Sequence, residues 1–287
     1  MPQLIDTDIQ TREVLDWKGV HLLHFMGSSC SQKTRIFLNL KGISWESHEV
    51  NLMTGENWNE WFIGINPRGL VPVLVHDGAV IIESNDILTY LDQNFPGPKL
   101  IPAGHEEEIA RLLKQEDDMH LDVRALTMRY VFGEEAANKD EATLDQLRNN
   151  GSGTVQGNPD PEKAVQIDFW QRMRKTGITD QWAGQAANNF RAIFDGFDQT
   201  LSQQPNLLGQ DVTLVDIAWY IYVNRLKLAG YPFEKVHPNV EAWFQRLHAR
   251  PEFSKECGTP PPLVARVAEL NAKEAASGTT LAAVAGF

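Results

Sequence analysis

Four residues near the start of the chain, Ser28-Ser29-Cys30-Ser31, set small hydroxyl and thiol groups between an apolar run, "VHLLHFM", and a helix-like segment. The first turn of a helix offers backbone N–H groups without intrahelical partners and the positive end of the helix dipole. Hydroxyls there can do two things. They can cap the helix, or they can help hold a sulfur anion. A thiol with a pKa of roughly 8.5 is mostly protonated at neutral pH, and such surroundings lower that value. Cys30 could itself be the low-pKa thiolate. A second pattern, Thr213-x-x-Asp216, has the spacing of a capping box. His120 beside Asp117 and Asp118 invites a metal reading, but three polar residues on a charged helix are an ordinary solvated face. No metal site is expected.

These groups need elements to position them. "VHLLHFM" predicts a buried strand, and a helix follows from Ser29 with Ile36, Phe37 and Leu40 on one face and Gly42 past its end. "ISWESHEVNL" alternates like a strand, and "GENWNEWFIGIN" predicts a short irregular helix. "VPVLVHDGAVII" contains two strands joined at Asp77-Gly78, a hairpin signal. "ESNDILTYLDQNF" is amphipathic, with Ile87, Leu88 and Leu91 inward. The order to Phe95 is therefore βαβ, a short helix, then ββα. Residues 1–19 form a leader arm ahead of this domain, 20–95, and the Pro- and Gly-rich stretch 96–104 is a linker.

Residues 105–260 carry helical spacing and no convincing strand pattern. They include one long helix through "EEEIARLLKQEDDMHLDVRALTMRYVFG" and a mostly apolar central helix from Thr213. A polar insert near 133–163 has little to bury and predicts a loop or a ragged helix extension. The tail, 261–287, is weakly specified.

The chain has 287 residues, 42% of them hydrophobic, and a formal net charge of −12. The acidic balance disfavours nucleic acid and anionic membrane as partners. No apolar run reaches the roughly 18 residues of a membrane span, and the start lacks signal-peptide regions. Two distant cysteines, Cys30 and Cys257, fit a reducing cytoplasm without a disulfide framework.

The βαβ–ββα unit, the Pro-rich linker and the helical half together resemble the glutathione S-transferase superfamily. "NPRGLVPVLVHDGAVIIESNDILTYLDQNFP", Asn66 to Pro96, is similar to the family's Asn-Pro…Val-Pro…Glu-Ser stretch. "SSCSQKTRIFLNLKG" resembles the Ser-Ser-Cys motif of zeta-class enzymes, which include maleylacetoacetate isomerases. "LVDIAWY" resembles the central helix of the second domain. The resemblance implies a thioredoxin-like α/β domain, an all-α domain and glutathione as co-substrate.

It also implies roles. Aligned on "KTRI", Ser28 falls where serine-type members keep the hydroxyl that stabilises the glutathione thiolate, with Ser29 and Cys30 behind it. Val71 and Pro72 imply a cis peptide whose backbone pairs with the cysteinyl unit. Ser84 receives the γ-glutamyl carboxylate, Glu83 accepts its amino group, and Asn57 stands near the glycyl carboxylate, with uncharged Trp58 beside it. Lys33 and Arg35 read as helix-surface or structural charges. The second substrate, a small hydrophobic and aromatic electrophile, is expected against the helical domain, with Met119, Met128, Tyr130, Phe169, Trp170 and Met173 as candidates. The activity implied is attack on an electrophilic carbon, as in bacterial β-aryl etherases. A zeta-like isomerase and a non-catalytic binding module are the alternatives. A homodimer, or a heterodimer with a related chain, is implied as well.

Overall fold

The computed structural model describes residues 3–137 and 139–287. In chain order its elements are β1 (Val20–His24), α1 (Ser29–Lys41), β2 (Glu46–Glu49), α2 (Glu60–Ile63), β3 (Val73–His76), β4 (Ala79–Ile81) and α3 (Ser84–Asn94). Then come α4 (Glu106–Asp118), α5 (His120–Thr127), α6 (Glu134–Ala137), α7 (Glu141–Asn149), β5 (Thr154–Val155), β6 (Asn158–Pro159) and α8 (Glu162–Thr176). The chain closes with α9 (Asp180–Leu201), α10 (Leu214–Leu228), α11 (Phe233–Val236), α12 (Pro238–His248), α13 (Pro251–Ser254), α14 (Pro261–Ser277) and α15 (Leu281–Ala285). None of the described helices is long and apolar enough to cross a membrane.

Two compact units form: Met1–Pro98 with Asn138–Lys175, and Lys99–Ala137 with Thr176–Phe287. In the first, four strands lie in the order β2-β1-β3-β4. β1 and β2 are parallel, as a strand–helix–strand crossover requires, and β3 and β4 are antiparallel neighbours. Side chains alternate across the sheet. Leu23, Val73, Val75, Val80 and Ile82 join one apolar cluster. Leu22, Leu74 and Ile81 point to the other face, where α3 packs on β3 and α1 packs on α3. Two buried polar links tie α1 to α3: Lys33 Nζ donates to Asn85 Oδ1 at 2.7 Å, and Lys41 Nζ pairs with Asp92 Oδ1 at 3.0 Å.

The structure revises several expectations in this unit. The leader arm is part of the core: Leu4, Ile9 and Val14 are buried in the sheet's cluster, and Leu4 N donates to Val80 O at 2.9 Å. Of the two readings of Lys33 and Arg35, surface or structural charges, burial leaves the structural one, and it is Leu38 rather than Leu40 that is fully covered. From residue 139 on, the polar insert packs with the sheet unit, not the helical one. It holds α7 and the β5–β6 hairpin, where the sequence pattern gave no strand, and most of α8 follows in the same unit.

Asp8 explains the anchoring. Its carboxylate is fully buried and accepts from Ile5 N, Thr154 Oγ1, Gln156 N and Gly157 N, at 3.1, 2.8, 2.7 and 3.0 Å. Burial opposes its charge, but the hydrogen bonds from Gly157, Thr154, Ile5 and Gln156 outweigh it and hold the carboxyl below the usual aspartate range. Beyond the hairpin, Leu144, Leu147 and Ile167 pack with Trp58 and Ile63, with Trp170 at the edge.

In the second unit α10 is central and buried along Leu214–Leu226, against α4, α5 and α12. The capping residues do more than cap. Buried Asp216 accepts from Thr213 N and Oγ1, from Leu207 N at 2.9 Å each, and from Trp243 Nε1 at 3.0 Å. The long helix expected after the linker breaks at Met119 into α4 and α5, then widens into a π-helical turn at Met128–Phe132. The tail is a 17-residue helix, α14, followed by α15, and not a weakly specified end. Arg129 binds it: one guanidinium reaches Ile178 O, Asp180 and Glu274, at 2.9, 2.7 and 2.8 Å. Gly184 lets α15 dock on α9, because a Cβ there would meet the Val284 carbonyl at 2.6 Å.

Candidate functional site

The sheet register gathers most of the expected residues at one end of the first unit. β1 runs into the loop that starts α1, so Ser28 stands at its C-terminal end. Leu23 pairs with Val73, which puts Pro72 and Val71 beside the same end. Leu74 pairs with Ile81, and the chain leaves β4 toward Glu83 and Ser84 in that direction.

Ser28 is the N-cap of α1. Its hydroxyl accepts from Ser31 N at 3.3 Å, and its carbonyl accepts from Gln32 N at 2.9 Å. A hydroxyl has one O–H and two lone pairs, so the cap bond leaves the proton to point elsewhere. The loop before it is braced from behind. Fully buried Ser31 places Oγ 3.4 Å from Phe25 N. Buried Arg35 donates to Phe25 O and Met26 O at 3.4 and 3.1 Å and meets His24 Nδ1 at 3.1 Å. Ser29 and Cys30 are half-buried in the first turn. Two residues are about 200° around a helix, so Cys30 faces a different side from Ser28. Cys30 and Cys257 form no disulfide.

The Val71–Pro72 peptide bond is cis. The segment before it is tightly held. Asn66 Nδ2 donates to Leu70 O at 2.7 Å, and Asn66 Oδ1 accepts from Arg68 N at 3.1 Å. Asn57 is buried and gives one amide N–H to Gly69 O at 2.7 Å, bracing this loop. Gly69 has φ +63°, and a Cβ there would lie 2.9 Å from Trp58 Cδ1. Trp58 is thus a packing residue behind the loop.

Glu83 takes φ +66°, a left-handed value that costs a non-glycine residue about 1–3 kcal/mol. It caps α3 with its carbonyl, which accepts from Ile87 N at 2.8 Å, and not with its side chain. The carboxylate turns to Arg68, whose Nη1 donates to Oε1 at 2.6 Å. Burial pushes the Glu83 carboxyl above the usual range, Arg68 pulls it down, and Glu162 and Asp86 add repulsion. Ser84 is buried at the start of α3. Arg68 also grips Asp160 of the insert, Nε to Oδ2 at 2.8 Å and Nη2 to Oδ1 at 2.7 Å. Burial disfavours the guanidinium's charge, but Asp160 and Glu83 outweigh this and raise its pKa.

Sequence reasoning missed Arg68, Asp160, Ser31 and the bracing role of Arg35. One signal existed for Arg68: a lone charge in the otherwise small and apolar run "NPRGLVP". The second-substrate candidates fall in both units. Met119, Met128 and Tyr130 belong to the helical unit, whereas Phe169, Trp170 and Met173 belong to the sheet unit. Tyr130 Oη donates to Thr279 O at 3.2 Å. His120 is not on a fully solvated face, since Nδ1 lies 3.1 Å from Tyr222 Oη.

Comparison with known proteins adds to this geometry. The glutathione S-transferase N-terminal domain family matches residues 27–94, and the C-terminal domain family matches residues 180–246. Protein LigF of Sphingobium sp. is 30% identical over 241 residues, covering 80% of this chain and 90% of that protein. The crystal structure of the β-etherase LigF from Sphingobium sp. strain SYK-6 superposes with a TM-score of 0.69 at 28% identity, covering 83% of this chain and 98% of that one. A zeta-class glutathione S-transferase of Euphorbia esula is 45% identical, but over 82 residues, 29% of this chain and 36% of that one.

Proposed function

The chain belongs to the glutathione S-transferase superfamily, and on that premise we propose that it activates the glutathione thiol for attack on an electrophilic carbon, cleaving β-aryl ethers of lignin-derived aromatics. Glutathione is the co-substrate of the family. The observation that carries the ether reading is the likeness to LigF, which extends over 90% of that protein. The zeta-class likeness stops after 82 residues, so the isomerase alternative rests on a part of the chain.

In this reading each residue has one task. Ser28 donates its hydroxyl proton to the bound sulfur from the start of α1 and favours the thiolate. The Val71 backbone aligns the cysteinyl unit as a neighbouring strand would. Ser84 and the start of α3, where no side chain caps the helix, receive the γ-glutamyl carboxylate. Glu83 takes the amino group, held in place by Arg68. Asn57 supports the loop from behind and faces the glycyl end. The bound tripeptide supplies the nucleophilic sulfur. A carbon–sulfur bond forms, the ether carbon–oxygen bond breaks, and the phenolate leaves with the bonding pair and takes a proton from water. The chain acts as a dimer, with an identical or a related partner, and a monomeric mass in solution scattering overturns that part.

The test is a β-aryl ether carrying a chromogenic phenol, incubated with the chain and glutathione. Phenol release that requires glutathione and yields the thioether in equal amount supports the reading. Glutathione binding without phenol release, accompanied by isomerisation of maleylacetoacetate, overturns it in favour of the zeta-like activity.

A further inference from the structure

The N-terminal part of β1 carries a cluster for which the glutathione chemistry has no use. His21, Glu46 and His48 each bring one ring nitrogen or carboxylate oxygen within 4.8 Å of the others. The register explains the meeting. His21 lies opposite Glu46 across the parallel β1–β2 pair, and residues two apart on a strand share a face, so His48 follows Glu46 on the side that His21 occupies. His21 Nδ1 is 3.1 Å from His48 Nε2 and 3.4 Å from Glu46 Oε2. A tetrahedral zinc ion, bonded at about 2.0–2.1 Å, holds its ligand atoms roughly 3.3 Å apart.

The tautomer of His21 is set from behind. Its Nε2 lies 2.8 Å from Lys18 O. A carbonyl only accepts, so Nε2 carries the proton and Nδ1 turns a lone pair toward the cluster. Metal-bound histidines are oriented in the same way, by giving the other ring N–H to a carbonyl or carboxylate. Without an ion, His48 Nε2–H can donate to that lone pair. With one, the other His48 tautomer presents a second lone pair. Trp17 steadies His48, stacked at 4.4 Å between centroids and 14° between planes. His21 is buried and Glu46 is exposed, so the cluster has a rigid inner ligand and a side open to solvent.

We propose that His21, Glu46 and His48 form a site for a divalent transition-metal ion of the zinc type, with three protein ligands and a fourth position for water. Two imidazoles and one carboxylate suit this class better than magnesium or calcium, which prefer oxygen throughout. The ion fastens edge strand β2 to β1. The cluster lies four residues before Phe25, roughly 13 Å of strand from the Ser28 end, so its occupation is separate from glutathione binding. No motif spacing announces it, because His21 and His48 are 27 residues apart and meet only through strand pairing.

The test is calorimetric titration of the full, tag-free, chelator-stripped chain with zinc chloride. One equivalent is expected to bind, more than about tenfold more weakly in His48→Ala, since losing even an outer partner of a ligand costs 10- to 100-fold. Glu46→Gln is expected to weaken it as well. Both substitutions are on the edge strand, and circular dichroism verifies that the fold is kept. Cobalt should give the visible absorption of a four-coordinate site in the parent chain and lose it in His48→Ala. Absence of zinc uptake, or uptake unchanged by either substitution, overturns the site and leaves a hydrogen-bonded histidine pair.

Discussion

Arg68 and Asp160, 92 residues apart in sequence, form a bidentate pair. The remaining guanidinium nitrogen holds Glu83. The insert therefore reaches the residue proposed to bind the glutathione amino group, through one side chain.

Asp160→Ala should loosen that chain of contacts. Hydrogen bonds to charged partners contribute about 1.5–3 kcal/mol, and a loss in that range is expected in the unfolding free energy read from urea denaturation. Glutathione affinity should fall several-fold, because Glu83 is no longer fixed. Calorimetry reads the second effect, and an unchanged dissociation constant in a folded variant would separate the insert from the site.

Ser28→Ala should slow the glutathione-dependent reaction by roughly 10- to 150-fold, the equivalent of about 1.5–3 kcal/mol at the transition state. It should also raise the pKa of bound glutathione, visible as a shift of thiolate absorbance to higher pH. The folding cost is that of a lost cap, about 1 kcal/mol. Cys30→Ser should stay active. The reverse pattern would make the cluster a cysteine site.

Glu83→Ala combined with Ser84→Ala should abolish measurable glutathione binding while leaving a folded chain, as read by calorimetry and circular dichroism. Both residues address the same end of the ligand. Full affinity in the double variant would remove the glutathione assignment from this helix start.

Asp8 predicts a pH effect. Its folded pKa is lowered, so its ionised form is favoured by folding. That stabilisation is complete above the unfolded aspartate value of about 3.9 and is lost as pH falls through the folded value. Urea midpoints measured from neutral to acid pH should fall more steeply for the parent chain than for Asp8→Asn. Parallel curves would mean that the four donors hold a neutral group.

Asp216→Ala should be among the most destabilising single changes, by about 3 kcal/mol or more, since it leaves buried donors from Thr213, Leu207 and Trp243 without their acceptor. The thermal midpoint checks this.

The strands, α1, α3 and α10 were legible because periodicity, Asp77-Gly78 and Thr213-x-x-Asp216 are local signals. The family's fold followed from motifs concentrated in the first 96 residues, with the linker and "LVDIAWY" carrying the second domain. What was not legible depends on distant partners. Lys33 and Arg35 look like surface charges until Asn85 and the Phe25–Met26 carbonyls are found around them. The strands of the insert are two residues each, too short to alternate, and exist because Asp8 gathers their backbone. The tail has small residues, and their value appears only where Gly184 lets α15 approach.

The division of the sheet unit into two stretches of chain has a consequence for synthesis. When Pro98 leaves the ribosome, Asp8 has met none of its hairpin donors and Arg68 lacks Asp160. At about 5–20 residues per second, the stretch that supplies them is complete only some 4–15 s later. In that interval the Asp8 carboxylate and the guanidinium beside Glu83 stay in water. The N-terminal portion cannot reach its final form vectorially, and its maturation is tied to translation of the first part of the helical unit.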